Sequence, residues 1–346
     1  MSDLKQFLLT GAAGFTGSHL LTLLLDSGIK VRAMVRSAEA FFNATHISTK
    51  IKKHSNLEVV IGDLLKPETL DCAVNGVAGI YHIAAAFREA GKPDSYYYAV
   101  NAQGTRLLLE AAIKANVPRC IVCSTNGVVS RPTHLPSDET EIYSPGDVYQ
   151  ASKVEAEKIA LNFFAEGKIR GMVLRPAMIY GPHDHRLLKL FKLVGERRFV
   201  YIGNGNKHVH FIDVRDLAKA FILAMNHIEI NGEVVLIAGE RPFKLKEVIK
   251  EIAQCYEVPV PKVKIPVMPI QMLGSICEIL CAPFGITPPI YRRRVDFFVK
   301  ERCFSTKKAE KLLNFKPMRT TFQEIKELCL WYEKEGFVTP KRVRTI

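Results

Sequence analysis

The sequence lacks the features that would assign it to a specialised class of protein. It has no internal repeat and no low-complexity tract, and its 346 residues are 48% hydrophobic and 24% charged. These values are typical of soluble globular proteins and exclude a disordered chain, a collagen and a coiled coil. At about 150 residues per domain, the length predicts roughly two structural units.

The eight cysteines are too scattered for a small secreted scaffold held together by disulfides. Residues 1–5 also lack the charged and then apolar pattern of a signal peptide, so we expect a cytoplasmic protein. Cys120 and Cys123 have the spacing of a metal-binding pair, but no second pair or histidine follows nearby. They lie in the apolar run CIVCS, for which we predict a buried strand and no metal site.

Acidic residues are outnumbered by basic ones, and the formal net charge is +13. Such an excess favours anionic ligands, anionic membrane surfaces or nucleic acid. The sequence has no basic segment interleaved with aromatic residues and no zinc-finger spacing. We therefore expect a small-molecule substrate and no nucleic-acid partner.

No apolar run is long enough to cross a bilayer, which takes about 20 residues. The longest candidate, residues 265–286, is interrupted by Pro266, Pro269 and Pro283. We interpret it as a lid helix or as an apolar wall of a substrate pocket. The alternative is a peripheral membrane anchor, followed by the basic residues Arg292–Arg294.

Short apolar runs alternate with longer amphipathic segments over the first 180 residues. This alternation is typical of repeated βαβ units and a parallel sheet. The predicted strands are Phe7–Thr10, Val31–Val35, Leu57–Ile61, Gly79–Ile83, Cys120–Cys123 and Met172–Leu174. The predicted helices are Gly17–Asp26, Asn101–Asn116 and Val148–Phe164.

A glycine-rich loop, TGAAGFTG at residues 10–17, follows the first predicted strand and opens the first helix. Backbone N–H groups and the positive end of the helix converge there, which suits a pyrophosphate. Gly11 permits the tight turn, Gly14 lets phosphates approach the backbone, and Gly17 lets helix and strand pack closely. The residues expected to contact a dinucleotide here are Gly11, Ala13, Gly14, Phe15, Thr16 and Gly17.

These patterns predict an α/β fold, a Rossmann-type doubly wound parallel sheet with a smaller, mostly helical C-terminal substrate domain. The alternation fades after Pro182 and returns briefly near residue 210. We therefore expect an NAD(P)-binding domain of residues 1–180 and 209–239. The substrate domain would comprise residues 181–208 and 240–346.

No acidic residue ends the second predicted strand, where Arg36 stands instead. An acidic side chain at this position accepts hydrogen bonds from the ribose 2′-hydroxyl of NAD, whereas an arginine accommodates the 2′-phosphate of NADP. We predict NADP(H) as the preferred cofactor, with NAD(H) as the alternative.

Tyr149 and Lys153 are four residues apart on a predicted helix and therefore share one face. A tyrosine with a pKa of about 10 acts as a base at neutral pH only if a cation stabilises its phenolate. Lys153 would supply that cation.

Together these motifs resemble those of the extended short-chain dehydrogenases/reductases, the NAD-dependent epimerase/dehydratase family, over nearly the whole chain. Further matching segments are Gly62–Leu64, Tyr81–Ala85, Val100–Thr105, Ser124–Thr125 and Arg175–Pro182. The resemblance implies that Thr125, Tyr149, Lys153 and Asn101 are catalytic. The Thr125 hydroxyl would bind the substrate oxygen, with Ser124 as the alternative.

The resemblance also implies a homodimer formed through the helices that carry Asn101 and Tyr149. Further cofactor contacts are expected at Asp63, Leu64, Ala84, Ala85, Lys153, Pro176 and Ile179. Substrate contacts are expected at Phe87, Asn126, Tyr180 and His183.

Two differences narrow the choice within this family. Asn126-Gly127 stand where sugar-nucleotide 4,6-dehydratases have Asp-Glu, which argues against a dehydratase. The tail, at residues 288–295, 300–309 and 313–317, is similar to the 3β-hydroxysteroid dehydrogenase-like branch.

We therefore predict an NAD(P)-dependent oxidoreductase that interconverts a secondary alcohol and a ketone on an apolar, steroid-like or lipid-like substrate. The alternatives are a sugar-nucleotide epimerase or reductase and a non-catalytic NADP-sensing protein.

Overall fold

The computed structural model of the chain describes residues 5–89, 91–281 and 292–342. The end of the apolar stretch 265–286 and the start of the tail motif at 288–291 lie outside these residues. The described residues divide into two compact units. Those of the first lie within Met1–Ile179, Val214–Ala238 and Ser305–Lys316, and those of the second lie within Tyr180–Asp213, Gly239–Phe304 and Pro317–Ile346. Compared with the predicted division, residue 180, residues 209–213 and residue 239 belong to the second unit, and residues 305–316 belong to the first.

A seven-stranded parallel sheet forms the centre of the first unit. Its strands are β1 (Gln6–Thr10), β2 (Lys30–Val35), β3 (Leu57–Ile61), β4 (Ile80–His82), β5 (Arg119–Cys123), β6 (Arg170–Pro176) and β11 (Glu233–Ile237). They are arranged in the order β11-β6-β5-β4-β1-β2-β3, and each adjacent pair is parallel. The sheet confirms the predicted α/β class, and β11 lies beside β6.

Helices surround this sheet in the first unit. They are α1 (Phe15–Asp26), α2 (Ala38–Asn43), α3 (Thr49–Lys52), α4 (Pro67–Val74), α5 (Asp94–Tyr97), α6 (Gly104–Lys114), α7 (Val148–Ala165), α9 (Val214–Asn226) and α13 (Lys307–Leu313). The leucines of α1 recur at helical spacing, and Leu20, Leu21 and Leu24 are completely buried. Leu8 and Leu9 of the central strand are also completely buried, since a parallel sheet is covered on both faces.

The second unit is mostly helical. Its helices are α8 (Leu188–Gly195), α10 (Leu245–Cys255), α11 (Val267–Cys281), α12 (Arg292–Val299) and α14 (Thr321–Lys334). Short strands accompany them, namely β8 (Tyr201–Ile202), β9 (His208–Val209), β10 (Phe211–Asp213), β12 (Phe243–Lys244) and β13 (Lys264–Ile265), while β7 (Met178–Tyr180) begins in the first unit. None of the described helices is both long enough and apolar enough to cross a membrane.

The predicted helix at 101–116 is not a uniform α-helix. It begins as a π-helical segment, Tyr98–Gln103, and continues as α6. Such wider turns occur frequently at functional sites. The spacing of the apolar residues did not reveal the π-helical segment, because one extra residue in a single turn shifts that spacing only locally.

Candidate active site

The glycine-rich loop leaves no room for side chains where it meets β4 and α1. Gly11 has φ +74°, and a Cβ atom on it would lie 2.7 Å from the Ala84 nitrogen. A Cβ atom on Gly17 would lie 2.0 Å from the Gly11 carbonyl oxygen. Gly14 is exposed at the start of α1, where a helix N-terminus favours anions. The residues present therefore fit the pyrophosphate of a dinucleotide.

Two arginines near β2 differ in their surroundings. Arg32 lies within the strand and is paired with Glu58 at 2.9 Å. Arg36 directly follows the strand, is exposed, and makes no ion pair with the part of the chain that the structure describes. At the end of β3, the Asp63 carboxylate accepts a hydrogen bond from the Leu65 N–H at 2.9 Å, next to the buried Leu64.

Thr10, the last residue of β1, fixes the segment after β4. Its hydroxyl oxygen accepts hydrogen bonds from the N–H groups of Ile83 at 3.1 Å and Ala84 at 3.2 Å. It also lies 2.9 Å from Nδ1 of His82. The position expected to contact the cofactor at Ala84 is thus held by a side chain of the neighbouring strand.

The tautomer of His82 follows from its other partner, Thr105. The Thr105 hydroxyl donates to the Asn101 carbonyl oxygen at 2.6 Å, so it can only accept from Nε2 of His82, which lies 2.9 Å away. Burial, with a smaller contribution from the charge of Lys153, lowers the pKa of His82 to about 3. The imidazole is therefore neutral, with its proton on Nε2.

Asn101 lies in the π-helical segment and joins it to two neighbouring elements. Its amide oxygen accepts from the Ala86 N–H at 2.7 Å, and its amide nitrogen donates to the Ala86 carbonyl at 3.1 Å and to the Ser152 hydroxyl at 2.9 Å. Ser152 in turn donates to the Tyr149 carbonyl at 2.8 Å. The side chain of Asn101 thus connects the segment after β4 with the start of α7.

Tyr149 and Lys153 lie one turn apart on α7, which Asp147 caps by accepting a hydrogen bond from the Gln150 N–H at 2.8 Å. The ring of Tyr149 is buried and meets the Phe87 ring edge-on, with 4.9 Å between the centroids. Lys153 is only 3% exposed.

The Nζ group of Lys153 donates to the Cys123 carbonyl at 2.6 Å. Burial lowers the pKa of Lys153, against the opposing effects of Cys123 and Glu157. The carbonyl at the end of β5 therefore fixes the position of this ammonium group.

Ser124 and Thr125 follow β5 and differ in what their hydroxyls bind. Ser124 is buried and donates to the Glu157 carboxylate at 2.6 Å. Thr125 is half-buried, and its oxygen accepts from the Gly127 N–H at 3.1 Å. Among the described residues, the Thr125 hydroxyl donates to none, so its hydrogen is available to a ligand. Asn126 is half-buried beside it.

The remaining predicted site residues are distributed over both units. Pro176 ends β6 and Ile179 lies in β7, both in the first unit. Tyr180 and His183 belong to the second unit. Tyr180 is completely buried there and donates to the Glu324 carboxylate, while His183 has φ +69° and its ring lies 5.1 Å from that of Trp331.

Residues 7–238 match the model of the family described as "NAD dependent epimerase/dehydratase family". The chain belongs to this family. The 3 beta-hydroxysteroid dehydrogenase/Delta 5-->4-isomerase of Mycobacterium tuberculosis is 30% identical over 96% of this chain and 91% of its own length. A second relative is the N-acetyl-alpha-D-glucosaminyl-diphospho-ditrans,octacis-undecaprenol 4-epimerase of Escherichia coli O157:H7, which is 27% identical over 87% of each chain.

Among solved structures, the dTDP-glucose 4,6-dehydratase of Bacillus anthracis in complex with NAD has a TM-score of 0.74. It is 22% identical, and the match covers 96% of this chain and 98% of that one. The likeness supports the Rossmann-type fold. Membership of the epimerase/dehydratase family confirms the predicted enzyme class, an NAD(P)-dependent oxidoreductase.

Sequence reasoning missed a buried ion pair in this family member. Glu157 of α7 is completely buried and accepts from Arg175 Nε at 3.0 Å, from Tyr143 at 2.8 Å and from Ser124. Although burial opposes it, the hydrogen bond to Glu157 and the charge of Glu157 raise the pKa of Arg175. The spacing of Glu157 from Lys153 places both on one helix face, but it does not reveal Arg175, which lies on a strand distant in sequence.

Proposed function

We propose that the chain is an NADP(H)-preferring oxidoreductase that interconverts a secondary alcohol and a ketone on an apolar, steroid-like or lipid-like substrate. The observation that carries this proposal is the pair formed by Tyr149 and the buried Lys153 on one face of α7. Thr125 follows β5, whose last carbonyl holds the Lys153 ammonium group. A proton-transfer set of this kind has no use in a protein that only senses a cofactor.

In the proposed reaction Tyr149 exchanges a proton with the substrate oxygen. Lys153 lowers the free energy of the phenolate through its positive charge. The Thr125 hydroxyl donates a hydrogen bond to the same substrate oxygen as charge develops on it. A nicotinamide, when bound, supplies or accepts the hydride.

Neighbouring buried side chains hold Tyr149, Lys153 and Thr125 in position. Asn101 and Ser152 link the start of α7 to the segment after β4, and the neutral His82 holds that segment through Thr10. The exclusion of water from Lys153 strengthens its interaction with a phenolate nearby.

The preference for NADP(H) is supported by Arg36, an exposed cation at the position of the adenosine ribose. Gly11, Ala13, Gly14, Phe15, Thr16 and Gly17 would hold the pyrophosphate. Asp63, Leu64, Ala84, Ala85, Pro176 and Ile179 would line the remaining part of the cofactor.

The apolar substrate class is supported by the similarity to the mycobacterial 3 beta-hydroxysteroid dehydrogenase over nearly the whole of both chains. Phe87 presents a partly exposed ring beside Tyr149. In the second unit, α11 exposes Met268, Met272 and Ile276, which are apolar residues one turn apart.

A sugar-nucleotide epimerase is the second candidate. It is supported by the similarity to the Escherichia coli 4-epimerase and by a cavity of about 340 Å³ in the second unit that is lined by Lys246, Lys262 and Lys264. Three lysines would suit a diphosphate. The homodimer, the cytoplasmic location and a peripheral membrane contact stay predictions.

The test compares the wild type with Tyr149→Phe, using 3β-hydroxysteroids and long-chain secondary alcohols with NADP⁺ and NAD⁺. We expect turnover of these alcohols and its loss by at least about 100-fold in Tyr149→Phe, with unchanged affinity for NADPH. Tyr98→Phe, which removes an exposed hydroxyl, is the matched control. Equal turnover by the wild type and Tyr149→Phe would contradict the proposal, and epimerisation of a sugar nucleotide without net cofactor reduction would favour the second candidate.

A further inference from the structure

The cavity of about 340 Å³ in the second unit is lined almost entirely by polar side chains. Besides one proline, its lining residues are Tyr201, Asn204, Asn206, Lys246, Lys262 and Lys264. Among these lining residues three carry a positive charge and none is acidic. This lysine-lined cavity therefore favours a negatively charged ligand.

The three lysines of the cavity have no counter-charge in the described part of the chain. None of them forms an ion pair there, whereas Lys207 of the same unit pairs with Glu301 at 3.1 Å. Lys246 lies in the first turn of α10, where the helix dipole adds positive potential. The acidic residue of that turn, Glu247, accepts the Lys244 N–H at 2.7 Å and does not line the cavity. Three cations around one cavity repel each other, and a bound anion would remove that cost.

Tyr201 provides a second and independent indication of a ligand. It is only 3% exposed, and its ring meets that of Phe199 edge-on, with 5.1 Å between the centroids. Tyr201 of β8 is in register with Lys264 of β13, so both side chains lie on the same face of this two-stranded sheet. The Tyr201 hydroxyl has no hydrogen-bond partner among the described residues, yet it is not sealed from solvent. A buried hydroxyl normally has a partner, and the cavity that Tyr201 lines is where a ligand would supply one.

The turn beside Tyr201 holds the donors of the cavity in place. Gly205 has φ +71°, and a Cβ atom on it would lie 2.9 Å from the Tyr201 ring and 3.3 Å from Cβ of Lys246. The Lys246 N–H donates to the Gly205 carbonyl at 2.9 Å. Oδ1 of Asn204 accepts from the Asn206 N–H at 3.0 Å, which leaves the Asn204 amide NH₂ group as a donor. Because these residues are already fixed, less conformational entropy is lost when a ligand binds.

We propose that the lysine-lined cavity binds the phosphate group of a small molecule. This inference goes beyond the proposed function, because the oxidation of an apolar alcohol needs no anion in the second unit. A phosphate group carries up to two negative charges and three strong acceptor oxygens, which match several lysines better than the single charge of a carboxylate does. Two sources have this chemistry, namely the diphosphate of a sugar nucleotide and a separate phosphorylated ligand.

The experiment measures the binding of pyrophosphate by isothermal titration calorimetry at constant ionic strength. The protein is saturated with NADPH, so that the pyrophosphate cradle at the glycine-rich loop is occupied. Lys246→Gln and Lys264→Gln each remove one charge from the cavity, and Tyr201→Phe removes only the hydroxyl. Lys250→Gln removes another exposed lysine of α10 that does not line the cavity and is the matched control.

We expect pyrophosphate to bind about 10-fold more weakly to each of the two lysine variants, since each loses one charge-assisted hydrogen bond. Tyr201→Phe should weaken binding by about 5-fold, because a neutral donor to a charged acceptor is lost. Lys250→Gln should change the affinity by less than about 2-fold, because exposed charges are screened by salt. Thermal unfolding verifies that each variant is folded.

A parallel titration with UDP-glucose distinguishes the two sources of the phosphate. If UDP-glucose binds more tightly than pyrophosphate and depends equally on Lys246, the cavity holds the diphosphate of a sugar nucleotide. If pyrophosphate binds as tightly as UDP-glucose, the cavity serves a separate phosphorylated ligand. Both results support the inference.

Three results would overturn the inference. They are the absence of pyrophosphate binding, binding that Lys246→Gln and Lys264→Gln leave unchanged, and binding that Lys250→Gln weakens as much as the cavity variants do. The last result would indicate a general attraction to the positive net charge. Because the readout is affinity for pyrophosphate, it does not depend on whether the protein oxidises any alcohol or whether Tyr149→Phe is inactive.

Discussion

The two ends of the candidate cofactor site differ in how firmly their polar residues are held. At the end near α7, Lys153 and Glu157 are buried, and each has a fixed hydrogen-bond partner. At the end proposed to bind the adenosine ribose, Arg36 is exposed and makes no ion pair with the described residues. A change near α7 therefore affects folding and chemistry together, whereas a change at Arg36 can alter cofactor choice alone.

The largest effect is expected for Glu157→Gln, which leaves the buried Arg175 without its counter-charge. Removal of one partner of a buried ion pair costs about 3–5 kcal/mol of unfolding free energy. Urea denaturation measures this loss. Glu155→Gln breaks an exposed pair with Lys158 on the same helix and should cost less than about 1 kcal/mol. Similar losses of unfolding free energy in Glu157→Gln and Glu155→Gln would contradict the expectation that the buried pair contributes more to stability than the exposed pair.

A large loss of cofactor affinity is expected for Gly17→Ala. The new methyl group would lie 2.0 Å from the Gly11 carbonyl oxygen, so the loop must move away from α1. We expect NADPH and NADH to bind about 100-fold more weakly, because the loss concerns the pyrophosphate they share. Gly14→Ala, where the added carbon would lie 3.3 Å from the same oxygen, is the milder comparison. Equal affinities in the wild type and Gly17→Ala would mean that the cofactor binds elsewhere.

A pH dependence of stability is expected from the buried histidines. The pKa of His82 is about 3 and that of His210, in the second unit, is about 4, both lowered mainly by burial. The unfolded chain binds these protons at a pKa of about 6.5, so stability falls as the pH drops below that value. Each histidine should cost about 2 kcal/mol between pH 6.5 and 5. Urea midpoints at pH 7, 6 and 5 measure the slope, and a flat profile would contradict a neutral state of both histidines in the fold.

The smallest effect is expected at the exposed end. Arg36→Ala should weaken NADPH binding about 10-fold and leave NADH binding unchanged, because only NADPH carries the 2′-phosphate. Arg106→Ala removes another exposed arginine and controls for net charge. Fluorescence titrations with both nucleotides measure the two affinities. Equal losses for NADPH and NADH in Arg36→Ala would contradict the assigned position of Arg36.

The sequence predicted the parts of this molecule that depend on local pattern. The glycine-rich loop, the strands of the sheet and the helix that carries Tyr149 and Lys153 follow from spacing and apolar period. The partner of Lys153, the Cys123 carbonyl, could not be predicted, since a main-chain acceptor leaves no signature in the sequence. The pairing of Glu157 with Arg175 was missed for a similar reason, because it joins a helix to a strand that are close only after folding.

The π-helical segment Tyr98–Gln103 sets the rotational phase of the helix that it begins. One residue fewer in this turn would restore α-helical winding and rotate Asn101 by about 100° relative to Thr105. Asn101 faces Ala86 and Ser152, whereas Thr105 faces His82. If one residue were deleted from this segment, either Asn101 or Thr105 could keep its orientation, but not both. Insertions and deletions, which loops tolerate, are therefore expected to be inactivating at this position even though the hydrophobic pattern would be preserved.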